Sequence, residues 1–180
     1  DFRGQGVELQ GRLAMAGRAP HALDGRLSLH VDEDLTGADV GVVEAVARLD
    51  GEALRPSFAI DATQPRPLRL QGDLRLDQLT PGFDLHGTWN ALAWPLRGDP
   101  QVQLEAGQLS LAGTMEAYDL TLDTTLHGDD IPQSALALRA SGDLEGLRFT
   151  PLRIETLGGH IEASGDVAWA PALGWRADIG

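Results

Sequence analysis

The sequence has no cysteine, no lysine and a single tyrosine. Without cysteine there are no disulfides, no thiolate metal sites and no thiol chemistry, whatever the compartment. Aromatics make up only 5% of the chain and Tyr118 is the lone Tyr, so paired carboxylates working in a glycoside cleft would have no aromatic platforms beside them. Positive charge is scarce as well. All 14 basic residues are Arg, against 27 Asp and Glu, for a formal net charge of −13 and a pI near 4.6. Phosphate binding needs clustered cations, so nucleic acid is excluded as the main partner, and so is simple electrostatic docking on anionic lipid. No run reaches the ~18 uncharged apolar residues of a membrane-spanning helix, and no signal peptide opens the chain. The acidity reads as a solvated, self-repelling surface.

What the chain does contain is one phrase used repeatedly: apolar-x-Gly-x-apolar. It occurs as Leu9-Gln10-Gly11-Arg12-Leu13, Leu23-Asp24-Gly25-Arg26-Leu27, Leu70-Gln71-Gly72-Asp73-Leu74 and Leu85-His86-Gly87-Thr88-Trp89. It returns around Gly113, Gly142 and Gly165. Side chains of a strand alternate faces with period two, which puts each of these glycines on the apolar face. An inward glycine leaves a gap and often marks a bend, a bulge or a close approach.

The same alternation runs through most of the sequence. Val7, Leu9, Leu13 and Met15 share a face opposite Glu8, Gln10 and Arg12; Leu27, Leu29 and Val31 oppose Arg26, Ser28 and His30. Phe58, Ile60 and Ala62 follow, then Leu68, Leu70, Leu74 and Leu76. Val102 and Leu104 lead to Leu109, Leu111 and Met115; Leu120, Leu122 and Leu126 oppose Thr121, Asp123 and His127. Leu136 and Leu138 lead to Leu144, Leu152 pairs with Ile154, and Ile161, Ala163, Val167, Trp169, Trp175 and Ile179 close the series. Ala19-Pro20, Gln64-Pro65-Arg66-Pro67, Thr80-Pro81-Gly82, Asp99-Pro100, Gly128 to Pro132 and Ala170-Pro171 punctuate it as turns, and Gly158-Gly159 suits a two-residue hairpin. Asp39 to Leu49 fits either a short helix or a strand, and its strand neighbours favour strand. The expectation is an all-β, mostly antiparallel fold of about a dozen strands. Residues 1–180 read as a single segment without an internal boundary. The phrase glycines are unevenly spaced, which favours hairpins of varying length over a fixed-period solenoid.

Motifs of chemistry are missing. His21, His30, His86, His127 and His160 form no HExxH-like pair. The acidic clusters Asp32-Glu33-Asp34 and Asp129-Asp130 do not match a calcium loop and read as solvated loops. There is no Gly-x-Ser-x-Gly elbow, P-loop or dinucleotide fingerprint, and Ser110, Ser141 and Ser164 fall mid-strand on polar faces. The reading is of a chain that is not an enzyme and needs no cofactor. Trp89, Trp94, Trp169 and Trp175 are expected to cap the open ends of the apolar face, or to line a lipid path at its rim.

The apolar face could pack on a second sheet, close into a barrel, or remain an open groove for apolar ligand. Its Leu-rich, aromatic-poor make-up and inward glycines favour the groove. The candidate lining residues are Leu70, Leu74, Leu76, Leu85, Leu109, Leu111, Leu120, Leu122, Leu138, Ile154, Ile161 and Val167.

The strand phrases, Ala91-Leu92-Ala93-Trp94-Pro95-Leu96 and the stretch Gly158-Gly159-His160-Ile161-Glu162-Ala163-Ser164-Gly165-Asp166-Val167 resemble the TamB family, whose broader relatives are the AsmA-like and bridge-like lipid-transfer proteins. The resemblance implies an elongated antiparallel sheet folded into an open trough, a β-taco, with a hydrophobic interior. It implies a piece, internal or C-terminal, of an inner-membrane-anchored periplasmic protein that carries phospholipid towards the outer membrane. It further implies partnership with TamA, an outer-membrane barrel, in assembling outer-membrane proteins. Three other readings differ in class. The trough could cradle unfolded outer-membrane β-strands, the segment could be a structural spacer, or it could be a β-helical carbohydrate enzyme, which the irregular spacing disfavours.

Overall fold

The computed structural model describes residues 2–4, 6–19, 21–36, 40–96, 98–170 and 173–180. Along them run β1 (Phe2–Gly4), β2 (Val7–Ala16), β3 (Ala22–Val31), the single helical turn α1 (Glu33–Thr36), β4 (Val43–Glu52), β5 (Arg55–Gln64), β6 (Leu68–Arg75) and β7 (Gly82–Trp89). Then come β8 (Leu92–Trp94), β9 (Val102–Thr114), β10 (Tyr118–Gly128), β11 (Ser134–Gly142), β12 (Gly146–Thr156), β13 (Gly159–Ala168) and β14 (Gly174–Ile179).

All of these strands belong to one sheet, and their order across it is their order along the chain. Every ladder is antiparallel. The short β8 pairs with the beginning of β9, on the side where β7 pairs with the rest. β1 and β14 end the path without meeting, so the sheet is open and not a barrel. Each strand packs mainly on its ladder neighbours, and the sheet is a single layer. A compact 19.2 kDa protein exposes about 8,400 Å²; this chain exposes 11759 Å². Among the described residues the buried apolar side chains are Pro56, Trp89, Ala93 and Ala140. The second wall that a sandwich would need is absent from the described residues, and the fold is the open, curved trough.

The curvature has local causes. Thr124 faces Gly107, yet Leu126 faces Leu104, so β9 carries one extra residue there. Leu138 faces Leu152 while Ala140 faces Phe149, which places another extra residue at Thr150-Pro151 of β12. Such bulges bend a strand and tighten its twist, and a bulge is where a strand tolerates proline. They also explain why the alternation changes phase between Val102-Leu104 and Leu109-Leu111: the bulge returns both pairs to one face.

Several local expectations are corrected. The hairpin between β12 and β13 turns at Leu157-Gly158, with φ of 51° and 78°, and not at Gly158-Gly159, because Gly159 already pairs with Thr156. Of Asp32-Glu33-Asp34, Glu33 and Asp34 enter the helical turn α1, and Asp32 stays in the loop before it. Val43 to Leu49 is strand, as expected, whereas Asp39, Pro20 and Pro171 lie outside the described residues. Met115 and Leu144 leave the face for the hairpin loops after β9 and β11.

Candidate functional site

Cross-strand partners in an antiparallel sheet share a face, so register shows what the apolar side is made of. One row reads Gly11, Leu27, Ala47, Ile60, Leu70 and Gly87 from β2 to β7. It continues through Leu109, Leu122, Leu138, Leu152, Ala163 and Ile179 from β9 to β14. The row is unbroken by any polar side chain. At 4.7–4.9 Å per strand it is roughly 50 Å long. The adjacent row is equally apolar, running from Leu13 through Leu49, Phe58, Leu85, Leu111, Leu120 and Phe149 to Ala177. The trough therefore runs across the strands, along the length of the sheet.

Eleven of the twelve candidate lining residues fall on this face. Leu70, Leu74, Leu85, Leu109, Leu111, Leu120, Leu122, Leu138, Ile154 and Val167 are half-buried. Ile161 is more open, at 43% exposure. Leu76 lies one residue past β6, off the ladder, where its N–H donates to the Leu54 carbonyl at 2.8 Å. Reasoning from sequence left out the trough's N-terminal stretch. There Leu9, Leu13, Leu27, Leu49, Phe58 and Ile60 surround a hollow of 590 Å³. Their period-two spacing was the available signal.

The inward glycines do not leave the room that composition led one to expect. Several are overlaid by the large side chain directly opposite, whereas Gly87 meets Leu109 only at ordinary contact distance and Gly113 meets the backbone of Ala117 and Tyr118. A Cβ at Gly11 would lie 2.6 Å from Leu27 Cδ1, one at Gly72 2.7 Å from Leu85 Cδ2, and one at Gly165 2.6 Å from the Phe149 ring. Tyr118 covers Gly142 and Trp89 covers Gly107 in the same way. Small opposite large keeps the floor close-packed within a single layer. Only the register reveals this pairing, because the two partners lie on different strands.

The tryptophans divide. Trp89 is 8% exposed, part of the floor and not of the rim. Trp175 continues the face opposite Val167 at 78% exposure. Trp169 sits past β13, its indole N–H donating to the Leu144 carbonyl at 2.8 Å. Trp94 ends β8, largely exposed.

The other face is polar and ionic. Asp61 lies 3.0 Å from Arg48 and 3.6 Å from Arg69; Asp84 lies 3.0 Å from His86. His30 sits between Asp32 at 3.2 Å and Glu44 at 3.5 Å, and His127 is 3.6 Å from Glu105. Exposed pairs of this kind contribute little stability individually. Arg55 holds Asp77 at 2.6 Å, which lowers the Asp77 carboxyl and raises the Arg55 guanidinium from their ordinary values, chiefly through that hydrogen bond. The Tyr118 phenol is raised by burial and then by the Asp143 charge. Among the described residues no group of three or more His, Asp or Glu could hold a metal ion.

The model of the N-terminal domain of TamB matches residues 3–180. The chain belongs to the TamB family. The match is to the N-terminal domain, and so gives no support to an internal or C-terminal placement. TamB-family proteins are in general inner-membrane-anchored, span the periplasm, and serve outer-membrane assembly and lipid transport. In this TamB domain, no helix among the described residues is long and apolar enough to cross a membrane. No solved structure matches the chain.

Proposed function

We propose that this chain is one stretch of a hydrophobic conduit that carries phospholipids between the inner and outer membranes, within a periplasmic protein that works with a TamA-type barrel through parts beyond these residues. One observation carries the reading: an apolar row runs unbroken from β2 to β14 on an open sheet, and no other element among the described residues covers it. Exposing an acyl chain to water costs about 0.8 kcal/mol per CH₂. A continuous apolar floor removes that cost at every step without a catalytic group. The many near-equivalent leucines give weak, repeated contacts, which suit sliding better than tight capture.

The test is site-specific photocrosslinking in cells, in the full-length protein, with the probe at Leu122 or at Asp123. These neighbours point to opposite faces of β10. Phospholipid adducts at Leu122 and not at Asp123 support the conduit. Adducts to outer-membrane polypeptide at Leu122 support instead a cradle for unfolded β-strands, and the absence of either adduct leaves a structural spacer.

A further inference from the structure

The apolar face has one polar spot. Among the described residues the buried polar side chains are Thr124 at 7% and Ser134 at 4% exposure. The buried polar atoms without a hydrogen-bond partner are Asp84 Oδ1, Trp89 Nε1 and Thr156 Oγ1. Asp84 belongs to the polar face, beside His86. The other four all lie on the trough side, on β7, β10, β11 and β12. Trp89 and Thr124 both face Gly107, from opposite sides, and Ser134 faces Thr156. The position a Cβ would take at Gly107 is 2.5 Å from Trp89 Cε2, the carbon bonded to the indole nitrogen, and 2.7 Å from Thr124 Oγ1. The indole ring and the hydroxyl therefore meet over Gly107, with the indole nitrogen one bond away from the contact.

Their existing partners are weak or absent. Thr124 Oγ1 donates only to the Thr125 carbonyl, at 3.4 Å, and Trp89 Nε1 donates to nothing. Ser134 is better served, donating to the Pro132 carbonyl at 2.8 Å. A buried donor without an acceptor is destabilising and asks for an explanation. The chemistry of the spot narrows the acceptor. It offers an indole N–H and hydroxyls, and the rows through it from β7 to β12 contain no Arg. A phosphate or free carboxylate buried there would lack a counter-ion. An uncharged, acceptor-only group flanked by hydrocarbon suits it.

We propose that Trp89 and Thr124, continued by Ser134 and Thr156, form a subsite for the ester carbonyls of a glycerolipid, the point at which a lipid sliding through the trough registers. This rests on the conduit reading and adds a position to it. As the ring shifts on binding, the indole N–H passes from a closed, unpartnered position to a carbonyl oxygen.

The experiment compares two probes that differ only in the carbonyls: dioleoyl phosphatidylcholine and its ether-linked dioleyl counterpart, each supplied as vesicles. Lipid bound per chain is measured for both. The unmodified chain should prefer the ester lipid about tenfold, the weight of one or two net hydrogen bonds. Trp89→Phe with Thr124→Val removes the indole N–H and the hydroxyl and should bring that ratio to about one. Equal binding of both lipids by the unmodified chain overturns the ester subsite alone, and assigns the orphan N–H to a trapped water. A ratio that survives in the double variant also overturns it. Binding of neither lipid overturns the conduit reading and the subsite with it. The unmodified chain's ratio needs no variant to fold, so the proposal stays testable if the double variant misfolds.

Discussion

At the scale of single residues, the trough floor depends on what is missing from a side chain as much as on what is present. Gly72 shows this. A Cβ there would press on Leu85 Cδ2 at 2.7 Å and Leu85 Cα at 3.2 Å, and on the Asp84 carbonyl. Gly72→Ala should therefore destabilise by about 1–3 kcal/mol, the usual range for overpacking. Gly174→Ala meets nothing within 4 Å and should change stability by less than about 0.5 kcal/mol. The urea midpoints of the two variants decide it, and equal midpoints would mean the glycine–leucine overlay is not structural. Tyr118 gives a second check. It is the only tyrosine, so tyrosinate absorbance reports a single group. Burial raises its pKa, so the folded chain should titrate at higher pH than the same chain in denaturant. The sign follows: a group raised in the folded state adds stability below its unfolded pKa, and that stability is lost as pH climbs through the folded value. The sequence showed that these glycines point inward, because period two is local. It did not show that several are covered by Leu27, Leu85, Tyr118 or Phe149, because that depends on which strand position lies opposite.

At the scale of elements, turns and bulges carry the information that alternation lacks. The β12–β13 hairpin puts Leu157 at φ 51°, a left-handed conformation that costs a non-glycine residue with a Cβ about 1–2 kcal/mol. Both turn residues have positive φ, the pattern that favours Asn-Gly. Leu157 is 86% exposed, so it returns little by packing. Leu157→Asn should raise stability by about 1 kcal/mol, read as an upward shift in thermal midpoint; a fall would show that the leucine has a packing role. The link from the start of β5 to the loop after β6 behaves differently. Asp77 is lowered by Arg55, so the pair's contribution is present above the ordinary carboxylate range and lost as pH falls below it through the folded value. Asp77→Asn should thus lower the thermal midpoint slightly at neutral pH and leave it unchanged in strong acid. Strand identities were legible from the sequence because leucines alternate with charges almost throughout. The bulges were not. Glu105 and Ala106 look like any strand pair, and only the facing register of Thr124 and Leu126 exposes the extra residue.

At the scale of the whole molecule, the surplus surface is the functional argument. A chain that leaves Leu13 at 66% and Trp175 at 78% exposed on one continuous face has not spent its apolar residues on a core. Sequence alone could not separate trough, sandwich and barrel, since all three alternate alike; the difference lies in whether β1 meets β14 and whether a second layer covers the floor. That openness sets the last prediction. In a sandwich, Leu122→Asp would bury an unpaired charge and unfold the domain. Here Leu122 is half-buried in a one-layer floor, between Leu109 and Leu138, so the carboxylate reaches water from within the trough and the sheet should survive. A fixed charge in the middle of the apolar row is nonetheless a barrier to any acyl chain passing along it. Lipid delivery by the full-length protein carrying Leu122→Asp should be abolished while its circular dichroism and thermal transition stay close to those of the parent, and Asp123→Asn, on the opposite face, should leave delivery intact. Normal delivery with Leu122→Asp would mean that lipid does not travel along this row, however apolar it is.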